Sequence, residues 1–88
     1  MKDIIRLKTS LSEDIERLLN EQIQMEAKSS AIYLSMASWC DRSGFRYSAE
    51  FFYRQSDEER THMMKIFRYI NDAGGTALSP EVAGLPVD

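Results

Sequence analysis

Glu59 and His62 are the two residues of this sequence whose types and spacing most clearly suggest chemistry. They stand three positions apart, so on a helix their side chains share one face. A carboxylate and an imidazole on an otherwise apolar face cost free energy unless a partner satisfies them. A metal ion would be such a partner. The apolar residues predicted to share this face are Phe52, Met63, Ile66 and Ile70.

A long helix is predicted before this pair, starting near Ser10 or Ser12. Ser10 followed by Glu13 has the form of a capping box, and Ser12 offers a second N-cap. From there to about Cys40 the chain contains no Gly and no Pro. Apolar residues recur at helical intervals and are expected to face a core. These residues are Leu11, Ile15, Leu18, Met25, Ile32, Met36 and Trp39.

A second helix is predicted from about Arg46 to Ala73, with Gly74 and Gly75 ending it. The break between the helices, residues 41–44, is short, so they should run antiparallel. The hairpin as a whole is assigned to residues 10–75. Residues 1–9 are expected either to pack as an extended arm or to fray, and residues 76–88 to form a loop leaving the hairpin.

Glu26, on the first helix, is predicted to meet Glu59 and His62. Counted from the turn at about 1.5 Å per residue, the three residues lie within about 5 Å of one another along the axis of the hairpin. Tyr33 stands two turns from Glu26 on the same face and could hydrogen-bond to a ligand carboxylate. Carboxylates with one imidazole suit iron or manganese, and zinc would also bind. Known four-helix sites take one Glu from each of two helices and Glu-x-x-His from the others, so two such hairpins would complete one.

Composition narrows the functional classes. The chain has 88 residues and a formal net charge of -3, without a run of basic residues, which argues against nucleic acid as a partner. No apolar stretch approaches the roughly 18 residues of a membrane span, and no secretory leader is visible. Cys40 is the single cysteine, which with the missing leader favours the cytoplasm.

A second, smaller-residue face on the first helix is expected to be a subunit interface; its members are Ile23, Ser30, Leu34 and Ala37.

The two helices resemble those of the bacterial non-haem ferritins over about residues 10–82. The first matching stretch is NEQIQMEAKSSAIYLSMASWC, and the second is DEERTHMMKIFRYINDAGG. The resemblance implies an all-α fold, half of a ferritin-like four-helix bundle completed by a second hairpin or by a missing C-terminal half. It also implies a di-iron ferroxidase centre. Glu26 would bind one iron, Glu59 would bridge two, and His62 would complete the first, with Tyr33 beside them and Glu58 near a third iron position.

The resemblance further implies iron storage. Fe(II) would be oxidised to Fe(III) by oxygen or peroxide and kept as mineral, in a 24-subunit shell if the chain is full-length. Haem is not expected, because Arg60 stands where haem-binding relatives place a Met. The family's third and fourth helices and their ligands do not follow, so we expect either a fragment of a longer ferritin or a homo-oligomer of hairpins. Two alternatives stay open: a structural hairpin that oligomerises without metal chemistry, and a di-iron oxidase or peroxidase acting on a small substrate.

Overall fold

The computed structural model describes residues 11–80, which form two long helices joined by a tight turn. Helix α1 spans Glu13–Arg42 and helix α2 spans Arg46–Asp72, and no strand occurs among the described residues. The predicted all-α hairpin is therefore confirmed, with helix ends close to those expected. Within this part of the chain neither helix combines the length and the apolar character that crossing a bilayer would require. The predicted arm, residues 1–9, lies outside the described residues.

Helix α1 begins at the second of its two predicted caps. The Ser12 hydroxyl accepts a hydrogen bond from the backbone N–H of Ile15 at 3.1 Å. This bond satisfies one of the N–H groups that the first turn of a helix leaves without a partner. Glu13, Asp14 and Glu16 place negative charge in that turn, where it interacts favourably with the helix dipole.

Both helices end in the same backbone motif, and each uses a glycine. Gly44 has φ +85°, a left-handed conformation that glycine adopts without a Cβ clash. The N–H of the next residue, Phe45, then reaches back to the carbonyl of Cys40 at 2.8 Å, which is the Schellman arrangement. Gly74, with φ +89°, ends α2 in the same way. The first motif reverses the chain within three residues and makes the helices antiparallel.

The helices meet along a narrow seam of buried residues. The buried members are Ile23, Ala37, Cys40, Ala49, Ser56, Met63 and Ile70. We name the α1 residues Ile23, Ser30 and Ala37, which recur every seven positions, the seam stripe. The sequence analysis assigned these three, with Leu34, to a subunit interface. The assignment was wrong for the seam stripe, because Ile23 and Ala37 are 0% exposed within the hairpin itself and Ser30 bonds to α2. Leu34 is 52% exposed, and its place in an interface stays a prediction.

A second set of α1 residues, which we name the exposed stripe, was expected in the core and lies on the surface instead. Its members are Leu18, Met25, Ile32 and Trp39, with exposures between 50% and 62%. They also recur every seven positions, about 160° around the helix from the seam stripe. Small side chains let two helices approach closely, so the seam stripe and not the larger residues packs against α2.

The chain beyond α2 is held against α1. The backbone N–H of Thr76 donates to the Glu16 carboxylate at 2.7 Å. Asn20 binds the segment twice, donating to the Thr76 carbonyl at 3.0 Å and accepting from the Leu78 N–H at 2.8 Å. A loop leaving the hairpin was expected here. Residues 76–80 are irregular as predicted, but these three bonds fasten their beginning to the first helix.

Candidate metal centre

Glu26, Glu59 and His62 come together midway along the hairpin. One potential ligand atom from each lies within 4.8 Å of the others. Glu26 is on α1, and the other two stand one turn apart on α2. The two glutamates are half-buried and His62 is exposed. The structure thus places the three predicted ligands at one height, as the antiparallel pairing of the two helices requires.

Glu26 carries the clearest sign of a missing partner. Its Oε1 accepts a hydrogen bond from Gln22 Nε2 at 2.8 Å, whereas its Oε2 is buried and has no hydrogen-bond partner. Within residues 11–80 it is the only buried side-chain nitrogen or oxygen in this condition. Leaving a buried acceptor without a partner costs about 1–3 kcal/mol, and more when the group is charged. A cation at this position would satisfy that oxygen.

Among residues 11–80 no basic side chain forms an ion pair with the cluster. The ion pairs in the described part of the chain all involve Arg17, which contacts Asp14 and Glu21 near the start of α1. The side chains of Glu59 and His62 make no hydrogen bond or ion pair with other residues of that part. Two carboxylates held this close repel each other when both are ionised. A divalent cation would reverse the sign of that interaction.

Tyr33 lies two helical turns from Glu26 along α1 and stacks on an aromatic residue of α2. Its ring stacks on Phe52, with centroids 6.1 Å apart and planes 21° from parallel. Phe52 in turn meets Phe51 edge to face at 5.3 Å. The Tyr33 hydroxyl makes no hydrogen bond to a carboxylate of the cluster within the described residues. Glu58 is exposed and stands outside the group of three ligand atoms. Roles for Tyr33 and Glu58 remain predictions from the resemblance.

Three residues around the cluster were not assigned to the site from the sequence. Gln22 orients Glu26 through a side-chain bond, and the spacing of four between them was a usable signal. Ser30 and Ser56 bond across the seam one turn from the cluster. The sequence signal for the two serines was weaker. Each is a small polar residue on the inner face of its helix, at a similar distance from the turn.

The arrangement can bind a divalent cation but leaves its coordination incomplete. Two carboxylates and one imidazole match the ligand preferences of iron and manganese and are accepted by zinc. Three side chains occupy only part of the coordination sphere of such an ion. His62 is exposed, so the cluster faces outward on one side, where further ligands could approach.

Comparisons with known proteins show which family and fold the chain resembles. Residues 16–87 match the model of the ferritin-like domain family. The chain is 44% identical over 68 residues to a "Probable bacterial non-heme ferritin-like protein" of Haemophilus influenzae, covering 77% of this chain and 41% of that protein. It is 37% identical over 78 residues to the "Bacterial non-heme ferritin" of Staphylococcus aureus, covering 89% and 47%.

A solved structure gives the same result for the fold. The Chlorobium tepidum ferritin superimposes with a TM-score of 0.77 at 44% identity, over 83% of this chain and 45% of that one. The chain therefore spans somewhat less than half the length of the relatives it matches.

Proposed function

Because the chain belongs to the ferritin family, we propose that it provides half of a site where Fe(II) is bound and oxidised before storage as ferric mineral. One observation carries the proposal. Ligand atoms of Glu26, Glu59 and His62 lie within 4.8 Å of one another, and the buried Glu26 Oε2 has no protein partner. The donor set fits iron, which here is the substrate of the protein.

Each residue takes a distinct role in this proposal. Glu26 offers its unpartnered Oε2 to one iron, while Gln22 holds the other oxygen in place. Glu59 is half-buried one turn before His62 on α2 and is suited to bridge two ions. His62 completes the coordination of the first ion through an imidazole nitrogen. Tyr33 borders the site through its packing on Phe52 and is proposed to line the approach of the oxidant.

The remaining ligands must come from another helix pair. They would be supplied by a second copy of the hairpin or by the region that extends the relatives beyond the matched half. Two features support this part of the proposal. The cluster is exposed at His62, and the exposed stripe on α1 leaves four large apolar residues without cover. Assembly and completion of the metal site would then occur together.

The chemistry follows from the charges. Each of two Fe(II) ions gives up one electron. Dioxygen that accepts both electrons and two protons leaves as hydrogen peroxide, and peroxide that accepts two electrons and two protons leaves as water. The carboxylates of Glu26 and Glu59 favour the higher charge of Fe(III), because hard anionic oxygen ligands bind the more highly charged ion more strongly. The oxidised ions then move on to the mineral.

The test is an anaerobic Fe(II) titration followed by exposure to air, with ferric absorbance as the measure of oxidation. In His62→Ala we expect Fe(II) affinity to fall by at least about tenfold, with a matching loss of oxidation rate at limiting iron. Thr61→Ala is the matched control, because Thr61 neighbours His62 but its hydroxyl bonds only to the Asp57 carbonyl. Oxidation at the wild-type rate in His62→Ala would remove His62 from the site.

A second candidate is a structural hairpin that oligomerises without metal chemistry. The exposed stripe favours it, since four exposed large apolar residues are explained equally well by assembly alone. The two candidates differ in one measurement, the metal content and native mass of the isolated protein. An assembly free of iron, unchanged in mass by Glu59→Ala, would favour the structural hairpin.

A further inference from the structure

Ser30 and Ser56 form a reciprocal bridge across the seam. The Ser30 hydroxyl donates to the backbone carbonyl of Ser56 at 2.9 Å, and the Ser56 hydroxyl donates to that of Ser30 at 2.8 Å. The two hydroxyl oxygens lie 2.9 Å apart. Ser56 is buried, with 6% exposure. This bridge is the one place among the described residues where polar side chains tie the middle of α1 to the middle of α2.

The bridge differs from ordinary side-chain contacts because its acceptors belong to the backbone. Only one rotatable bond separates the hydroxyl oxygen of a serine from its backbone. Each hydroxyl therefore reaches the opposite carbonyl only if the two helix backbones are close. Long flexible side chains would follow a sliding helix, whereas these cannot. The bridge therefore senses the axial position of one helix relative to the other.

The rest of the seam has no such sensitivity. Around the cluster it consists of apolar residues such as Ile23 and Met63, and apolar burial is non-directional. A small axial slide, within the freedom that the turn at residues 43–45 leaves, would keep much of this burial. It would also shift Glu26 relative to Glu59 and His62, whose ligand atoms now lie within 4.8 Å of one another. It would break both serine–carbonyl bonds as well, because hydrogen bonds weaken steeply with distance and angle.

The location of the bridge links this register to the metal site. Ser30 follows Glu26 by four residues, and Ser56 precedes Glu59 by three, so the bridge lies one turn from the ligands on both helices. We infer that Ser30 and Ser56 are positioning residues that fix the axial register of the two helices and so hold Glu26 opposite Glu59 and His62. They touch no ligand atom themselves. This inference rests on the proposed function, since it presumes that the three ligands bind metal.

The test is Co²⁺ binding by the assembled protein after its metal has been removed. Binding is measured by the visible absorption of the bound ion, so the result does not depend on iron oxidation. We compare the double variant Ser30→Ala/Ser56→Ala with Ile70→Val. Ile70 is fully buried in the same seam but lies about three turns beyond Glu59 and about two turns beyond His62 along α2, so its truncation should loosen packing without moving the ligands. Ser30→Thr, which keeps a hydroxyl, is the conservative variant.

Co²⁺ affinity should fall about tenfold in the double variant and stay near wild type in Ile70→Val and Ser30→Thr. Equal affinities in the double variant and Ile70→Val would overturn the inference and leave the proposed function intact. If the double variant does not fold, the single variants Ser30→Ala and Ser56→Ala, each lacking one cross-helix bond, decide between the same outcomes. Failure of the wild type to bind Co²⁺ would overturn the proposed function and this inference with it.

Discussion

The two sides of α1 use the same spacing for opposite purposes. The seam stripe (Ile23, Ser30, Ala37) and the exposed stripe (Leu18, Met25, Ile32, Trp39) both repeat every seven residues. The first packs against α2, and the second is at least half exposed. The side with smaller and more polar residues is the buried one. Residue size therefore decides how closely a neighbouring helix approaches, and hydrophobicity alone does not identify the neighbour.

The contrast also explains where the metal cluster can form. The seam brings the helices close enough for serine hydroxyls to reach the opposite backbone, and this closeness lets a glutamate on one helix meet a histidine on the other. Large residues in the seam would hold the helices further apart. The exposed stripe, with its larger side chains, is suited to a second layer of helices at a more usual separation.

The largest expected effect tests the contrast between the seam stripe and the exposed stripe directly. Ile23→Ala and Ile32→Ala remove the same atoms from the same helix at sites of 0% and 50% exposure. We expect Ile23→Ala to lower the free energy of unfolding by about 3 kcal/mol, because it leaves a cavity in the seam. Ile32→Ala should cost less than about 1 kcal/mol, since half of its surface is already in water. Denaturant titration of both variants measures the difference.

Equal losses in the two variants would contradict this contrast. They would mean that the exposed stripe is covered in solution as fully as the seam. Repeating the titration over a range of protein concentrations would then identify the cover, because burial in an oligomer makes stability depend on concentration.

An intermediate effect concerns Glu26, which stands at the edge of the seam. In the metal-free protein, Glu26→Gln should raise the free energy of unfolding by about 1 kcal/mol, because it removes a charge whose Oε2 is buried without a partner. Glu58→Gln, an exposed site on α2, is the control and should change stability by less than about 0.5 kcal/mol. Thermal melts in a chelating buffer check both. A loss of stability in Glu26→Gln would show that the carboxylate has a structural partner in solution.

The smallest effect lies outside both stripes, near the turn. The Tyr53 hydroxyl donates to Asp41 Oδ2 at 3.0 Å, and this hydrogen bond is the main reason why the pKa of Tyr53 is raised above its usual value of 10.0. The bond needs the protonated phenol, so its contribution is present below pH 10.0 and is lost as the pH rises through the raised pKa. Wild type and Tyr53→Phe should thus differ slightly at neutral pH and converge in strong alkali. A difference that persists unchanged in alkali would contradict this origin.

Much of the fold could be predicted from local signals in the sequence. The absence of Gly and Pro from two long segments predicts both helices, and Gly44 and Gly74 predict their ends. The height calculation that placed Glu26 opposite Glu59 and His62 needs only the rise per residue and a short turn. For that reason the position of the cluster along the hairpin was predictable before any side chain was placed.

The faces of α1 were not predictable in the same way. Two stripes with the same seven-residue spacing fit the same helix, and the larger apolar residues were assigned to the core. The choice between them depends on how closely α2 approaches, which is a property of the pair and not of either sequence segment. The bonds from Glu16 and Asn20 to residues 76–78 were missed for a similar reason, because they join positions 56 to 60 residues apart.

The Schellman turn at Gly44 has a consequence for how quickly the molecule folds. Because this turn holds the two helices side by side, we expect contacts along the seam to form from the turn outward. The serine bridge joins residues 26 positions apart, and the Glu16–Thr76 bond joins residues 60 apart. The entropy of loop closure makes the second contact about 0.7 kcal/mol harder to form in a single step. Progressive closure removes that penalty, since each contact shortens the loop that the next must close, and the hairpin acquires the kinetics typical of chains rich in local contacts.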